Sequence, residues 1–429
     1  MKKQSTLQGT RCRVVVFLFS LLSVHFSSFS NLDAKVYIDI NSPAFRKLPI
    51  AVSDFSGTFG RDIPEVIIDD LDFTGLFLCL DRSAFIETPP DPFQQRNWSA
   101  IGAEAVVKGM VRNDKNLVVV VSLYDVIEGR ELFRKEYQSE QSLLRPLAHT
   151  IANDIYMQLT GQKGIFRTRI AYVERKSGSD ELMMGDWDGV RTYRMGVKGR
   201  IMLGPRWAKD GSRLLYSSER NRQWGIYLLD FGKMSERNVF ISKGTNIAGD
   251  LFLNPDEFVM SSSKEGYQNI YTFRISSSQL KRLTASRGID VTPSISPDGN
   301  VIAFVSDRDG SPQIFTMSRE GFDTKRITFS GSYNTSPAWS PKGDRIAFSG
   351  RVGGKNQIFT MNPDGSLMTQ LTDKGNNEDP SFSPDGRCIA FSSDRDGEKA
   401  VYIMRANGEA QKRITPKGIK AFAPRWSPN

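Results

Sequence analysis

Two histidines and three cysteines are all that 429 residues contain: His25, His149, Cys12, Cys79 and Cys388. A Cys/His zinc centre needs four such ligands close together, and this chain cannot assemble one. A His-dependent triad has one or two candidate bases at most, and no G-x-S-x-G nucleophile elbow occurs anywhere. Also missing is an apolar run of the ~20 residues that cross a bilayer as a helix. Apolar residues at 39% and charged residues at 24% are ordinary globular usage, which argues against both disorder and a polytopic membrane protein.

The most apolar stretch, residues 14–26, explains part of this tally. It is 13 residues long, diluted by serines, and preceded by Lys2, Lys3, Arg11 and Arg13. Small or polar residues follow, with cleavage expected after Ser30 or Ala34, so residues 1–34 read as a secretory signal peptide. Four basic residues and one acid leave with it, taking the net charge from +9 to +6. The remaining basic residues are scattered, so nucleic acid is not an expected partner. Cys79 and Cys388 fall in different domains of the reading below and are expected to be free thiols.

What the chain has in abundance is repetition. Ser296-Pro297-Asp298-Gly299 recurs as Ser340-Pro341-Lys342-Gly343 and Ser383-Pro384-Asp385-Gly386, and the chain ends within a further copy, Ser427-Pro428-Asn429. The apolar residue before each copy stands at Trp207, Leu251, Ile295, Trp339, Phe382 and Trp426, in steps of 44, 44, 44, 43 and 44. Tyr216, Met260, Phe304, Phe348 and Phe391 keep the same beat, as do the triplets ending at Thr284, Thr328, Thr372 and Thr415. Each unit reads as four short alternating strands, with Pro-Asp-Gly turning the first hairpin and Asp307–Gly310 or Asp394–Gly397 the second. Four strands per ~44 residues is a β-propeller blade. The last unit owns only its first strand, and the segment from Ile165 lacks one. The two fragments complete each other, which predicts a six-bladed propeller over residues 165–429 closed by the C-terminal strand.

Residues 35–160 carry no such repeat and read as a mixed α/β domain. Strands are expected at 36–40, 49–55, 76–80, 105–112, 117–126 and 131–138. One helix carries Ile63, Ile67 and Leu71 on a single face and stops near Gly75. A second spans 142–159 with Gly161 beyond its end.

The junction string from Leu159-Thr160-Gly161-Gln162-Lys163-Gly164 to Arg167-Thr168-Arg169-Ile170-Ala171-Tyr172-Val173, the domain order and the terminal Trp426-Ser427-Pro428 resemble the TolB family. That family is the periplasmic component of the Tol-Pal system of Gram-negative bacteria, and the resemblance covers the whole chain. It implies a monomeric periplasmic adaptor with no cofactor, not an enzyme. Its propeller would bind the lipoprotein Pal at one channel mouth and its mature N-terminus the inner-membrane protein TolA, supporting envelope constriction at division and outer-membrane integrity. The second blade departs from the pattern, reading Leu251-Phe252-Leu253-Asn254-Pro255-Asp256 without the glycine.

The segment entering each unit's first strand must cross a propeller mouth, and it is polar: Asn246, Asp290, Thr292, Asn334, Ser336, Asn377, Glu378 and Asp379, with Arg206 and Arg425 following the prolines of two further blades. As a ring these residues are the expected Pal site; singly, each is as well explained as a solvated turn. Lys35, Val36, Tyr37, Ile38 and Asp39 form the expected TolA-binding strand, which either belongs to the first domain's core or exchanges onto the partner. The enzyme alternative is a calcium-dependent lactonase-type propeller using Asp290, Glu378 and Asp379, but nothing supplies a matching general base. His149, inside a helix, reads as structural or surface-lying rather than catalytic.

Overall fold

The computed structural model describes residues 46–113 and 115–429. The expected signal peptide and the strand at 36–40 lie outside the described residues.

The α/β domain opens with β1 (Leu48–Val52) and β2 (Ser56–Gly57), followed by helix α1 (Asp62–Phe73) and β3 (Phe77–Cys79). A short helix α2 (Gln95–Ala100) precedes the antiparallel meander β4 (Ala105–Asn113), β5 (Leu117–Asp125) and β6 (Arg130–Ser139), and α3 (Leu144–Thr160) closes the domain. The sheet order is β3-β1-β4-β5-β6, with β1 parallel to both neighbours and β2 paired to the far end of β4. The apolar face of α1, Ile63, Ile67 and Leu71, meets Leu147, Ile151 and Ile155 of α3 over Val107, Val119 and Val121 of the sheet. Helix α3 stops where Gly161 turns left-handed at φ 70° and its N–H donates to Met157 O. The pattern did not anticipate α2, a six-residue helix whose one buried side chain, Trp98, covers the sheet's other face with Ala51, Val106 and Val126.

The remainder forms six four-stranded antiparallel sheets. The inner strands are Ile201–Trp207, Asn246–Leu251, Asp290–Ile295, Asn334–Trp339, Asn377–Phe382 and Lys420–Trp426; blades 1 to 6 are numbered in that order. Five blades are continuous in sequence. In the sixth, Lys420–Trp426 pairs with Arg169–Lys176, so the last strand of the chain completes the first sheet of the propeller and leaves no ring edge open.

Each repeated column has a mechanical reason. The aromatic column pairs ring to ring across its hairpin, stacked in Tyr216–Tyr227, Phe348–Phe359 and Phe391–Tyr402 and tilted in Phe304–Phe315. The threonine column caps the third strand: Thr284, Thr328, Thr372 and Thr415 accept the main-chain N–H of Ile270, Ile314, Ile358 and Val401. In the Ser-Pro-x-Gly turns the glycines of three intact copies sit at φ 72–80° and Ser296 N–H donates to Val301 O. Blade 2 closes the same turn without a glycine, Phe252 N–H donating to Glu257 O.

The α/β domain meets blades 5 and 6 at the end of the ring that carries the Ser-Pro turns. There Arg405 donates to the terminal carbonyls of α1, Asp72 O and Phe73 O, both at 2.8 Å, where a cation complements the helix dipole. One apolar cluster runs through both parts, joining Phe73 and Phe166 to Trp187, Cys388 and Trp426. Cys79 and Cys388 are free thiols.

Candidate functional site

The six inner strands line the channel, all running the same way, so each mouth is built from one column of the repeat. At the mouth where they begin, the polar column turns inward. Asn246, Asp290, Asn334 and Asn377 are all buried. Asp290 accepts a forked pair from Arg308 Nη2 at 3.0 and 3.1 Å, and Asn377 Oδ1 accepts from Arg395 Nη2 at 3.0 Å. Asn334 donates to Gln313 Oε1, and Asn246 Oδ1 accepts from Ser262 Oγ at 2.6 Å. The two Asp-Arg-Asp-Gly segments therefore do more than turn a hairpin. Their arginines lie over the aromatic pairs of their own blades and fasten the first residue of the same blade's inner strand.

Two residues further on, every inner strand breaks register with the second strand, a β-bulge repeated around the ring. In four blades the bulged residue is a non-glycine held left-handed: Thr292 at φ 49°, Ser336 at 54°, Asp379 at 57° and Ala423 at 53°. Ser336 Oγ reaches Asp379 Oδ1 of the next blade at 3.3 Å, which places both on the channel wall. Glu378 is held by Lys399 and by Asn356 Nδ2 at 2.7 Å, and despite burial its carboxyl lies below the usual range because of the lysine.

Arg206 and Arg425 do not join that mouth. They lie deeper, with Asp250, Ser294, Ala338 and Ser381, in a ring at the floor of a cavity of about 510 Å³ that opens at the opposite end. Arg206 Nε is 3.1 Å from Asp250 Oδ1, and Asp250 Oδ2 accepts from Ser294 Oγ and the N–H of Ile295. Burial, with Arg206 beside it, pushes the Arg425 guanidinium down to about 9, still a cation at neutral pH. Sequence reasoning missed Asp250, which sits in the blade whose turn motif lacks its glycine.

His149 is buried and engaged. Its Nδ1 is 2.7 Å from Asp70 Oδ2 of α1, and its Nε2 is 3.3 Å from Asp188 Oδ2, which follows a strand of blade 6. Arg145 donates to the same Asp188 oxygen at 2.6 and 2.9 Å. Burial drives Asp70 up to about 7; it works against the His149 cation too, but hydrogen bonds and charge from Asp188 and Asp70 raise that group to about 9.

A family model described as the TolB beta propeller domain matches residues 156–429, and one described as the TolB amino-terminal domain matches residues 36–132. The Tol-Pal system protein TolB of Desulfosudis oleivorans is 35% identical over 277 residues, 60% of this chain and 62% of that protein. Its counterpart in Dinoroseobacter shibae is 35% identical over 223 residues, 48% of this chain and 50% of that one. The chain thus spans about half to three fifths of the length of these curated relatives. The crystal structure of TolB from Acinetobacter baumannii superposes with a TM-score of 0.81 at 26% identity, covering 92% of this chain and 100% of that one.

Proposed function

The chain belongs to the TolB family, and from that premise we propose that it works without catalysis, as a periplasmic adaptor of a Tol-Pal system. Pal docks at the mouth where the inner strands begin, and TolA takes the strand Lys35, Val36, Tyr37, Ile38 and Asp39, which lies outside the described residues. The adaptor acts as a monomer and links the two membranes during outer-membrane invagination at division. Exported by its cleaved leader, it needs no span of its own; among the described residues no helix is long and apolar enough to cross a membrane.

The observation that carries this reading is the bulge of the inner strands, where four blades hold a non-glycine residue left-handed on the channel wall; the other left-handed column, Met234, Ser278, Asp323, Leu367 and Ala410, turns the outer hairpins. Non-glycine residues adopt that conformation at a cost of about 1–2 kcal/mol each, and such outliers cluster where a surface is used. Here they fix Thr292, Ser336 and Asp379 on the channel wall, while the buried Asn246, Asp290, Asn334 and Asn377 hold the loops that present them. That mouth also faces away from the α/β domain, leaving it clear for a partner. The calcium-enzyme alternative is weakened because Asp290 and Glu378 are already neutralised by Arg308 and Lys399.

Calorimetry with the soluble domain of Pal from the same genome tests the site. Thr292→Lys/Ser336→Lys should weaken binding at least tenfold, by about 1.4 kcal/mol or more, with the melting temperature kept. Full-strength binding by a folded double variant would sink the assignment.

A further inference from the structure

The opposite mouth has a chemistry of its own. Its rim is one position of the turn motif, Pro297, Pro341, Pro384 and Pro428 after serine in four blades, with Lys209 and Leu253 at the same position in the other two. Below the rim stand the indoles of Trp207, Trp339 and Trp426, and below them the ring containing Arg206, Asp250 and Arg425. No residue of the α/β domain lines this cavity, and Lys209, Leu253 and Pro341 on its rim are exposed.

Charge in this cavity is unbalanced. Arg206 is paired with Asp250. Arg425, by contrast, has no carboxylate at ion-pair distance among the described residues; its Nη1 donates only to the carbonyls of Pro424 and Asp379. Lys209 likewise has no acidic partner there and donates to Pro297 O at 2.5 Å. A guanidinium offers five donors in a planar fork, and one held out of water without an anion is costly. Among the lining residues three cations face one carboxylate, Asp250; Asp379 reaches the two arginines and Asp298 reaches Lys209 by charge alone, without an ion pair to Arg425 or Lys209 among the described residues. The open fork of Arg425 takes one carboxylate, and a phosphate dianion brings more charge than that fork pairs. The indole and proline walls around it suit an apolar body, and about 510 Å³ falls in the size range of sites that enclose small organic ligands.

We propose that this mouth is a binding site for an organic carboxylate: Arg425 forks the carboxylate, Lys209 guides it at the rim, and Trp207, Trp339 and Trp426 pack on the body that carries it. The site lies at the other end of the channel from the Pal mouth and does not depend on the adaptor reading. Two sources share this chemistry, an acidic side chain of a peptide segment and a free small carboxylate.

The test uses the mature protein and the fluorescence of its lining tryptophans, titrated with acetyl-Ala-Glu-Ala-amide, its Gln counterpart, cyclohexanecarboxylate and inorganic phosphate. A saturable change with the Glu peptide but not the Gln peptide supports the site and assigns a peptide source; saturation by cyclohexanecarboxylate alone supports it and assigns a small-molecule source. Arg425→Gln should weaken binding at least about tenfold, and it removes an uncompensated buried cation, so the fold should hold. Lys209→Gln, at an exposed position, should weaken binding about two- to fivefold with an unchanged melting temperature, and stands in if the arginine variant misfolds. No saturable change with any carboxylate, binding no tighter than phosphate, or undiminished binding in both variants would overturn the proposal.

Discussion

Replacing His149 with glutamine tests how the two domains are held together. The imidazole sits between a helix of the α/β domain and the end of a propeller strand, with Asp70 on one side and Asp188, itself gripped by Arg145, on the other. Asp186 is the further carboxylate whose charge reaches it. Phe166 and Trp187 close the cluster from water. The histidine holds its proton more tightly folded than unfolded, so its contribution is complete below its ordinary value of 6.5 and is lost as pH rises through about 9. Asp70 acts in the same direction. Burial favours its protonated form, so that contribution is complete below 3.8 and lost as pH rises through about 7. Asp188 runs oppositely: its carboxyl is depressed, so its contribution is present above 3.8 and lost only in acid. The rise from 6.5 to about 9 corresponds to about 3 kcal/mol at 1.36 kcal/mol per unit. His149→Gln should therefore destabilise the protein by about 3 kcal/mol near pH 6. Asp70 limits the damage by taking a proton of its own. Near pH 10 the wild-type imidazole is neutral and the gap should nearly vanish. Urea melts of both proteins at pH 6, 8 and 10 measure this, and a gap independent of pH would refute a charged histidine at the domain junction.

Two further outcomes follow from the ring. Deleting residues 423–429 removes Arg425 and Trp426 from their pairing with Ala171 and Ile170, together with the Trp426 Nε1 bond to Thr168 Oγ1 at 2.8 Å. The opened edge should lower the melting temperature by many degrees and promote aggregation; an unchanged melt in calorimetry would defeat closure by the last strand. Arg308→Ala strips the forked partner from the fully buried Asp290 and should cost about 3–5 kcal/mol in a denaturant melt. A cost within experimental error would show that the column is decorative.

The propeller was legible because each blade solves the same problem with the same atoms. A threonine must cap the third strand and a serine-proline turn must close the first hairpin, so the chain repeats them at a fixed interval, and the interval gives the blade count. The helices of the α/β domain were legible from their single apolar stripe, whereas α2 was not, having only one buried side chain to leave a trace. The His149 cluster left none at all. Its partners lie 79 residues upstream and 39 downstream in the chain, and no period links them.

The polar column at the channel mouth shows what a period cannot tell. Spacing identified Asn246, Asp290, Asn334 and Asn377 as one set, but a polar residue at a loop edge can face solvent or turn in, and only the position of Arg308, Arg395 and Gln313 decides which. Once those side chains close the mouth from within, contact with a partner passes to the bulged column two residues on, where Thr292, Ser336 and Asp379 are fixed by backbone geometry. Fixed side chains lose little entropy on binding, so a ring built this way can recognise a partner through few contacts. The arginines show the converse. Arg206 and Arg425 stand in register with Ser294, Ala338 and Ser381, so the repeat gives them a place on the channel wall but no reason for their charge. A structural role would have brought each a carboxylate. Asp250 supplies one for Arg206, and the absence of a second among the described residues beside Arg425 makes the two mouths chemically distinct.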